Sequence, residues 1–312
     1  MNEPQRIVSL LASGTELVCA LGLGERLVGR SHECDFPSWV RSLPEVSRPT
    51  FDIHGSSRAI DEAVRARLRA GQPLYEVDEA KLLELSPDVL ITQTHCEVCA
   101  VSPADLVHRL PATLSRKPVV ALNGGTLAAI LEGFLEVAAV LDCPAKGKTL
   151  ALELKSKLSN VRERVRSLPR PRVACVEWLE PVFTMGNWGP ELVEVAGGEN
   201  LLGLAGAHST TTPFDAVAAA DPDVLVVAPC GFDLERAERE LPALTSQPGF
   251  RELRAARSGQ VYVCDGNLYF NRSSPSLFES AAILAEMLHP TAFEPHHEGT
   301  AWRRVVSAAS KK

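Results

Sequence analysis

The segment Pro87-Asp88-Val89-Leu90-Ile91 recurs 135 residues later as Pro222-Asp223-Val224-Leu225-Val226. Each copy places a Pro-Asp pair, which disfavours a continuing helix, ahead of an unbroken β-branched and aliphatic run. Such a run predicts a strand buried on both faces. Cysteine follows each strand: Cys96 and Cys99 after the first, Cys230 after the second. A second repeat keeps the same order, with Gly24-Glu25-Arg26-Leu27-Val28-Gly29 before the first copy and Gly198-Glu199-Asn200-Leu201-Leu202-Gly203 before the second. Two repeated elements in a preserved order predict a duplicated supersecondary unit and two similar lobes. A length of 312 residues, beyond the usual size of one core, agrees.

Strand-like runs at 6–11, 27–29, 89–91 and 119–122 alternate with helical patterns at 17–21, 59–70 and 79–85, with Asp78 as N-cap of the last. The second half repeats the alternation, with strands at 173–176, 183–185, 223–227 and 260–264 and a closing helix at 275–288. This predicts βα units and mostly parallel sheets. Residues 42–57, rich in Pro, Ser, Gly and Asp, read as irregular. The longest helical composition runs from 126 to 168, broken near Cys143-Pro144. The expected fold is α/β: two similar lobes with mostly parallel sheets, joined by one long helix, with a ligand cleft between them. Its divisions are an N-terminal lobe (1–125), a connecting helical segment (126–170), a C-terminal lobe (171–290) and a tail (291–312).

Composition narrows the function classes. Hydrophobic residues make up 45% and charged residues 23%, as in soluble globular chains. A net charge of −7 with no dense basic block argues against nucleic acid as partner. No run reaches the ~18 apolar residues of a membrane span. The residues before the first strand lack the pattern of a secretory signal. As it stands, the sequence reads as cytoplasmic, and a signal peptide upstream of this start would make the protein periplasmic. Eight scattered cysteines then read as thiols or ligands, not a disulfide framework.

In open α/β sheets, ligands sit beyond the carboxyl ends of the strands. The loops at 12–16, 31–36, 92–99, 177–188 and 265–272 are therefore the candidate site, and they contain Ser13, Thr15, His32, Cys34, His95, Cys96, Trp178, Phe183, Trp188, Tyr269 and Arg272. Phe183 lies within a strand, so an ordinary core role weighs equally for it, whereas Trp178 and Trp188 among prolines and glycines favour the site.

The segments Arg6-Ile7-Val8-Ser9-Leu10-Leu11-Ala12-Ser13-Gly14-Thr15-Glu16-Leu17, Leu85-Ser86-Pro87-Asp88-Val89-Leu90-Ile91, Phe183-Thr184-Met185-Gly186, Val193-Glu194-Val195-Ala196-Gly197-Gly198-Glu199-Asn200-Leu201 and Arg272-Ser273-Ser274-Pro275 carry a family resemblance. Together they resemble the cobalamin- and iron-chelate-binding proteins of ABC importers, the class linked by a single helix, over roughly 6–288, and the periplasmic cobalamin binders most. The resemblance implies a corrinoid gripped by aromatic side chains, at positions matching Phe51 or its neighbours, Trp178, Phe183 and Tyr269. It also implies one acidic residue per lobe for docking on a permease. Glu45 fits the first position; the second is Asn271, a departure that leaves a corrinoid carrier or sensor without a permease as a reading.

A second departure is the cysteine-rich loop. His95-Cys96-Glu97-Val98-Cys99 contains a C-x-x-C, and Cys34 lies in a neighbouring strand-end loop. Cys34, His95, Cys96 and Cys99 form a candidate zinc set, or one of them an axial ligand to cobalt. No nucleophile elbow, phosphate loop or zincin motif is present, and the dipeptide His296-His297 reads as a disordered polar piece of the tail. The function expected is therefore ligand binding, not catalysis: a corrinoid binder first, a haem or ferric-chelate binder second, and a zinc- or thiol-dependent enzyme using Cys34, Cys96 and Cys99 third.

Overall fold

The computed structural model describes residues 6–94 and 116–305. They divide into two units: one contains residues up to 55, 62–154 and 273–275, the other 56–61, 155–272 and 276–305. The first unit contains β1 (Ile7–Ser9), α1 (Ala12–Ala20), β2 (Leu27–Arg30), β3 (Ser47–Pro49), most of α2 (Ser57–Arg69), β4 (Tyr75–Val77), α3 (Glu79–Leu85), β5 (Val89–Gln93), β6 (Val119–Leu122) and α4 (Leu127–Val140). Its main sheet has the order β2-β1-β5-β6, and every pairing in it is parallel. All five residues of β5 are buried, as expected of a central strand covered on both faces. Val8, Leu10, Leu82 and Leu90 pack with Val46 in the core.

The chain continues into α5 (Pro144–Val165), which starts at Pro144, a position where the missing N–H costs nothing. Its 22 residues span ~33 Å at 1.5 Å per residue. Ala151, Leu154, Leu158, Val161 and Val165 form one buried stripe at helical spacing. The second unit then builds β7 (Arg172–Leu179), β8 (Val182–Thr184), α6 (Gly189–Val195), β9 (Glu199–Asn200), β10 (Thr210–Thr211), α7 (Phe214–Ala220), β11 (Val224–Val227), α8 (Leu234–Glu240), β12 (Val261–Cys264), α9 (Ser280–Leu288) and β13 (Trp302–Arg304). β7, β11 and β12 are parallel and central, whereas β8, β10 and β13 add antiparallel margins. This sheet is therefore more mixed than the alternation of elements predicts. The segment from 289 onward, without assigned structure in the sequence, supplies β13. The stretch 42–57, read as irregular, holds β3, which pairs with β4.

The Pro-Asp repeat has a structural cause. Ser86 and Asp221 end their helices in the left-handed region, at φ 42° and 41°. Asp88 N then donates to Arg6 O at 2.8 Å while its carboxylate accepts Arg6 N at 3.2 Å. Asp223 repeats the exchange with Arg172, at 2.8 and 2.9 Å. Each aspartate thereby sets the register of a central strand against the first strand of its unit. Asp223 also binds Arg254 at 2.6 Å. Burial alone raises the Asp223 carboxyl, but the hydrogen bonds from Arg172 N and Arg254 outweigh it and hold the group below its ordinary value.

Asp223→Ala is expected to cost about 1–2 kcal/mol of stability and Asp88→Ala about 1 kcal/mol, read from urea midpoints. Because the folded Asp223 carboxyl is depressed, its contribution is present above the unfolded value of about 3.9 and fades as pH falls through the lower folded value. The deficit of Asp223→Ala should therefore shrink below about pH 4.

Candidate functional site

In the first unit, the strand-end loops form a buried polar cluster. Thr15 and Cys34 are fully enclosed, and Ser13 nearly so. The Thr15 hydroxyl donates to Cys34 Sγ at 2.9 Å, and Ser31 Oγ lies 3.2 Å from the same sulfur. Burial pushes the Cys34 thiol up, only partly offset by these hydrogen bonds. Cys34 is therefore held as a neutral thiol, unsuited to nucleophilic attack.

His32, two residues before Cys34, turns elsewhere: Nδ1 lies 3.1 Å from Ser47 Oγ, and the ring tilts against Tyr75 at 5.2 Å. Burial drives the imidazole down to about 4, against the pull of Glu45 and with the push of Arg30. A folded value below the unfolded one of about 6.5 means that the unfolded chain takes up a proton that the folded chain refuses. Stability is thus expected to decline as pH falls from about 6.5 towards 4, and His32→Gln should flatten that slope in urea midpoints measured between pH 7.5 and 4.5.

Phe51, half-buried, does not follow a strand of the parallel sheet. It lines a recess of about 660 Å³ beside β3 and β4, with Arg48, Asp52, Arg67 and Glu76. Glu45, the expected docking acid, pairs with Arg30 at 3.1 Å and keeps 44% of its side chain exposed. His95, Cys96 and Cys99 lie outside the described residues, and among the described residues no group of three or more His, Cys, Asp or Glu could hold a metal ion.

In the second unit the expected residues fall into two joined groups. Trp178 in β7 stands opposite Phe183 in β8, so both side chains share one face of that hairpin. Both are half-buried. Phe232 lies behind Trp178, with ring centroids 5.3 Å apart, and Arg236 sits 3.8 Å over the Phe232 ring. The Trp178 Nε1 atom is enclosed without a hydrogen-bond partner among the described residues. Phe232 escaped the sequence reading, although its place just after Cys230 in a strand-end loop was the available signal.

The other group is the exit of β12. Asp265 Oδ1 accepts Leu268 N at 2.8 Å and so caps the turn Gly266–Phe270. Burial raises the Asp265 carboxyl, opposed by that hydrogen bond and by the Arg272 charge. Arg272, 8% exposed, donates to Asn267 Oδ1 at 2.6 Å. Asn267 N in turn donates to Phe232 O at 3.0 Å, which joins this turn to the aromatic group. Tyr269 O accepts from Ser280. The Trp188 indole N–H donates to Phe270 O at 2.8 Å, and the ring is 5% exposed, so Trp188 supports the turn from below. The Asn271 amide donates to Ala228 O and Gly266 O at 2.8 and 3.0 Å. A carboxylate cannot donate, so an aspartate there would leave both carbonyls without that partner.

No helix among the described residues is long and apolar enough to cross a membrane. The chain is 24% identical over 228 residues to a vitamin B12-binding protein of Vibrio parahaemolyticus, covering 72% of this chain and 71% of that one. It is 22% identical over 301 residues to an uncharacterized ABC transporter substrate-binding lipoprotein of Bacillus subtilis, covering 94% and 82%. A periplasmic haem-binding protein of Pseudomonas aeruginosa shares the fold with a TM-score of 0.70 at 24% identity, covering 92% of this chain and 94% of that one. The two units with their parallel β-sheet centres are the architecture expected from the duplicated strand motif. The family model for periplasmic binding proteins matches residues 7–268, most of the sequence, and the chain belongs to that family.

Proposed function

We propose that this chain is a substrate-binding protein for cobalamin or a related corrinoid, held by the strand-end loops, and the substrate-binding component of an ABC importer. The carrying observation is the aromatic face of Trp178 and Phe183, backed by Phe232. A broad, largely flat macrocycle gains most from aromatic faces, with polar groups at its rim setting orientation. Arg272 and Asn267, joined to the same face through Phe232, supply such groups.

A corrinoid is our first reading and haem the second. In the loops of the second unit Glu177, Glu180 and Asp265 are acidic, and the Arg272 guanidinium donates to Asn267 Oδ1. The amide rim of a corrinoid would find both donors and acceptors among these groups. Haem is the second reading, supported by the likeness to the Pseudomonas aeruginosa protein. Family membership supports the periplasmic alternative over the cytoplasmic one. Calorimetric titration with cyanocobalamin should show saturable one-to-one binding. A Soret shift with hemin and no heat with any corrinoid would transfer the reading to haem, and no response to either would remove both.

A further inference from the structure

We infer that residues 289–305 form an intramolecular strap that fastens the second half of α5 to the sheet of the second unit. The strap lies beyond the residues matched by the family model and does not depend on the identity of the ligand. Its anchor is Glu286, a carboxylate only 3% exposed on helix α9, whose other residues after Ser280 are apolar. A buried carboxylate is costly unless donors surround it. Among the described residues three donors reach Glu286, all from the strap: His297 Nδ1 at 2.6 Å, His297 N at 3.1 Å and Trp302 Nε1 at 2.9 Å. Because a carboxylate only accepts, Nδ1 carries the proton. His297 is thus a fixed bridge, not the disordered dipeptide expected from the sequence.

From His297 the strap reaches α5 at two places. His297 Nε2 lies 3.6 Å from Glu279 Oε1, whose other oxygen binds Lys157 of α5 at 2.6 Å. Nearer the start of the strap, the Arg164 guanidinium lies 3.8 Å over the Phe293 ring and donates to Ala292 O at 3.2 Å. The far end is held to the sheet. β13 pairs with β12, Arg304 Nη2 donates to the Tyr262 hydroxyl at 2.8 Å, and Trp302 meets the Tyr262 ring edge-on at 5.4 Å. The strap also covers the edge that β12 would otherwise expose for pairing with another chain.

Hydrogen exchange on the full-length protein tests the strap. In the unaltered protein, amides of 297–304 should be protected to the level of β12. His297→Ala should speed their exchange at least tenfold, and speed that of 155–166 as well, with amides of 6–94 unchanged. Arg164→Ala, at an exposed site that does not threaten folding, should speed exchange at 289–293. Free-peptide exchange of 297–304 in the unaltered protein would overturn the inference. So would exchange at 155–166 that neither variant changes. If His297→Ala does not fold, the Arg164→Ala result alone decides.

Discussion

Truncation of Trp178 to alanine should weaken cyanocobalamin binding by about 2 kcal/mol, roughly thirtyfold, and the double variant with Phe183→Ala by at least about a hundredfold. The two rings are cross-strand neighbours on one face of the β7–β8 hairpin, so they present a continuous surface that neither could supply alone. Trp178 carries more of the effect because Phe232 fixes its ring plane from behind. A side chain already ordered loses less entropy when the ligand arrives. That support has a second consequence: Trp178→Ala also opens a gap against Phe232 and should cost about 2 kcal/mol of stability. The two effects separate in Trp178→Phe, which keeps an aromatic face and most of the packing. It should retain affinity within about fivefold of the unaltered protein. A folded Trp178→Ala protein that binds cyanocobalamin with unchanged affinity would show that the ligand contacts another surface.

The parts of this fold that were legible in the sequence are those set by neighbours in the chain. The Pro-Asp starts of β5 and β11 were readable because proline ends helices locally and a buried strand needs only a short apolar run. Asp78 was readable as a cap because its bond to Lys81 N spans three residues. What escaped depends on partners far away in sequence. β3 is Ser-Arg-Pro, with no apolar pattern, and is held by β4 and by the Arg48–Glu76 pair. His297 gained a role only because Glu286, eleven residues away on another element, is buried beside it. Trp188 resembled a ligand residue by composition, yet its indole N–H is spent on Phe270 O, a contact 82 residues away. The Cys34 thiol was equally unreadable, since the Thr15 hydroxyl that reaches it comes from the preceding helix. For these loops the lesson is specific: the strand pattern gives their positions, whereas distant packing partners decide which of their side chains are half-buried, as Trp178 and Phe183 are, and which are enclosed, as Trp188 is.

Gly266 offers the sharpest test of that bracing. It begins the turn after β12, at the carboxyl edge of the sheet, where the chain passes directly over the end of β11. A Cβ at this position would lie 2.1 Å from Pro229 O and 2.6 Å from Ala228 C. Both obstacles are backbone, so no side-chain rotation relieves them, and the two strand exits must move apart. Gly266→Ala is therefore expected to cost about 3 kcal/mol or more. The displacement would act on the Asn271 bonds to Ala228 O and Gly266 O, and on the Asn267–Phe232 bond that couples Arg272 to the aromatic face. Corrinoid affinity should fall with stability. Gly231 is the matched control, because it has φ +73° but nothing within 4 Å of its Cβ position. Gly231→Ala carries only the left-handed backbone penalty of about 1–2 kcal/mol. Urea midpoints and cyanocobalamin titrations of the two variants give the comparison. If Gly266→Ala costs no more than Gly231→Ala, the exits of β11 and β12 are not in contact as described and the turn is not the brace of the site.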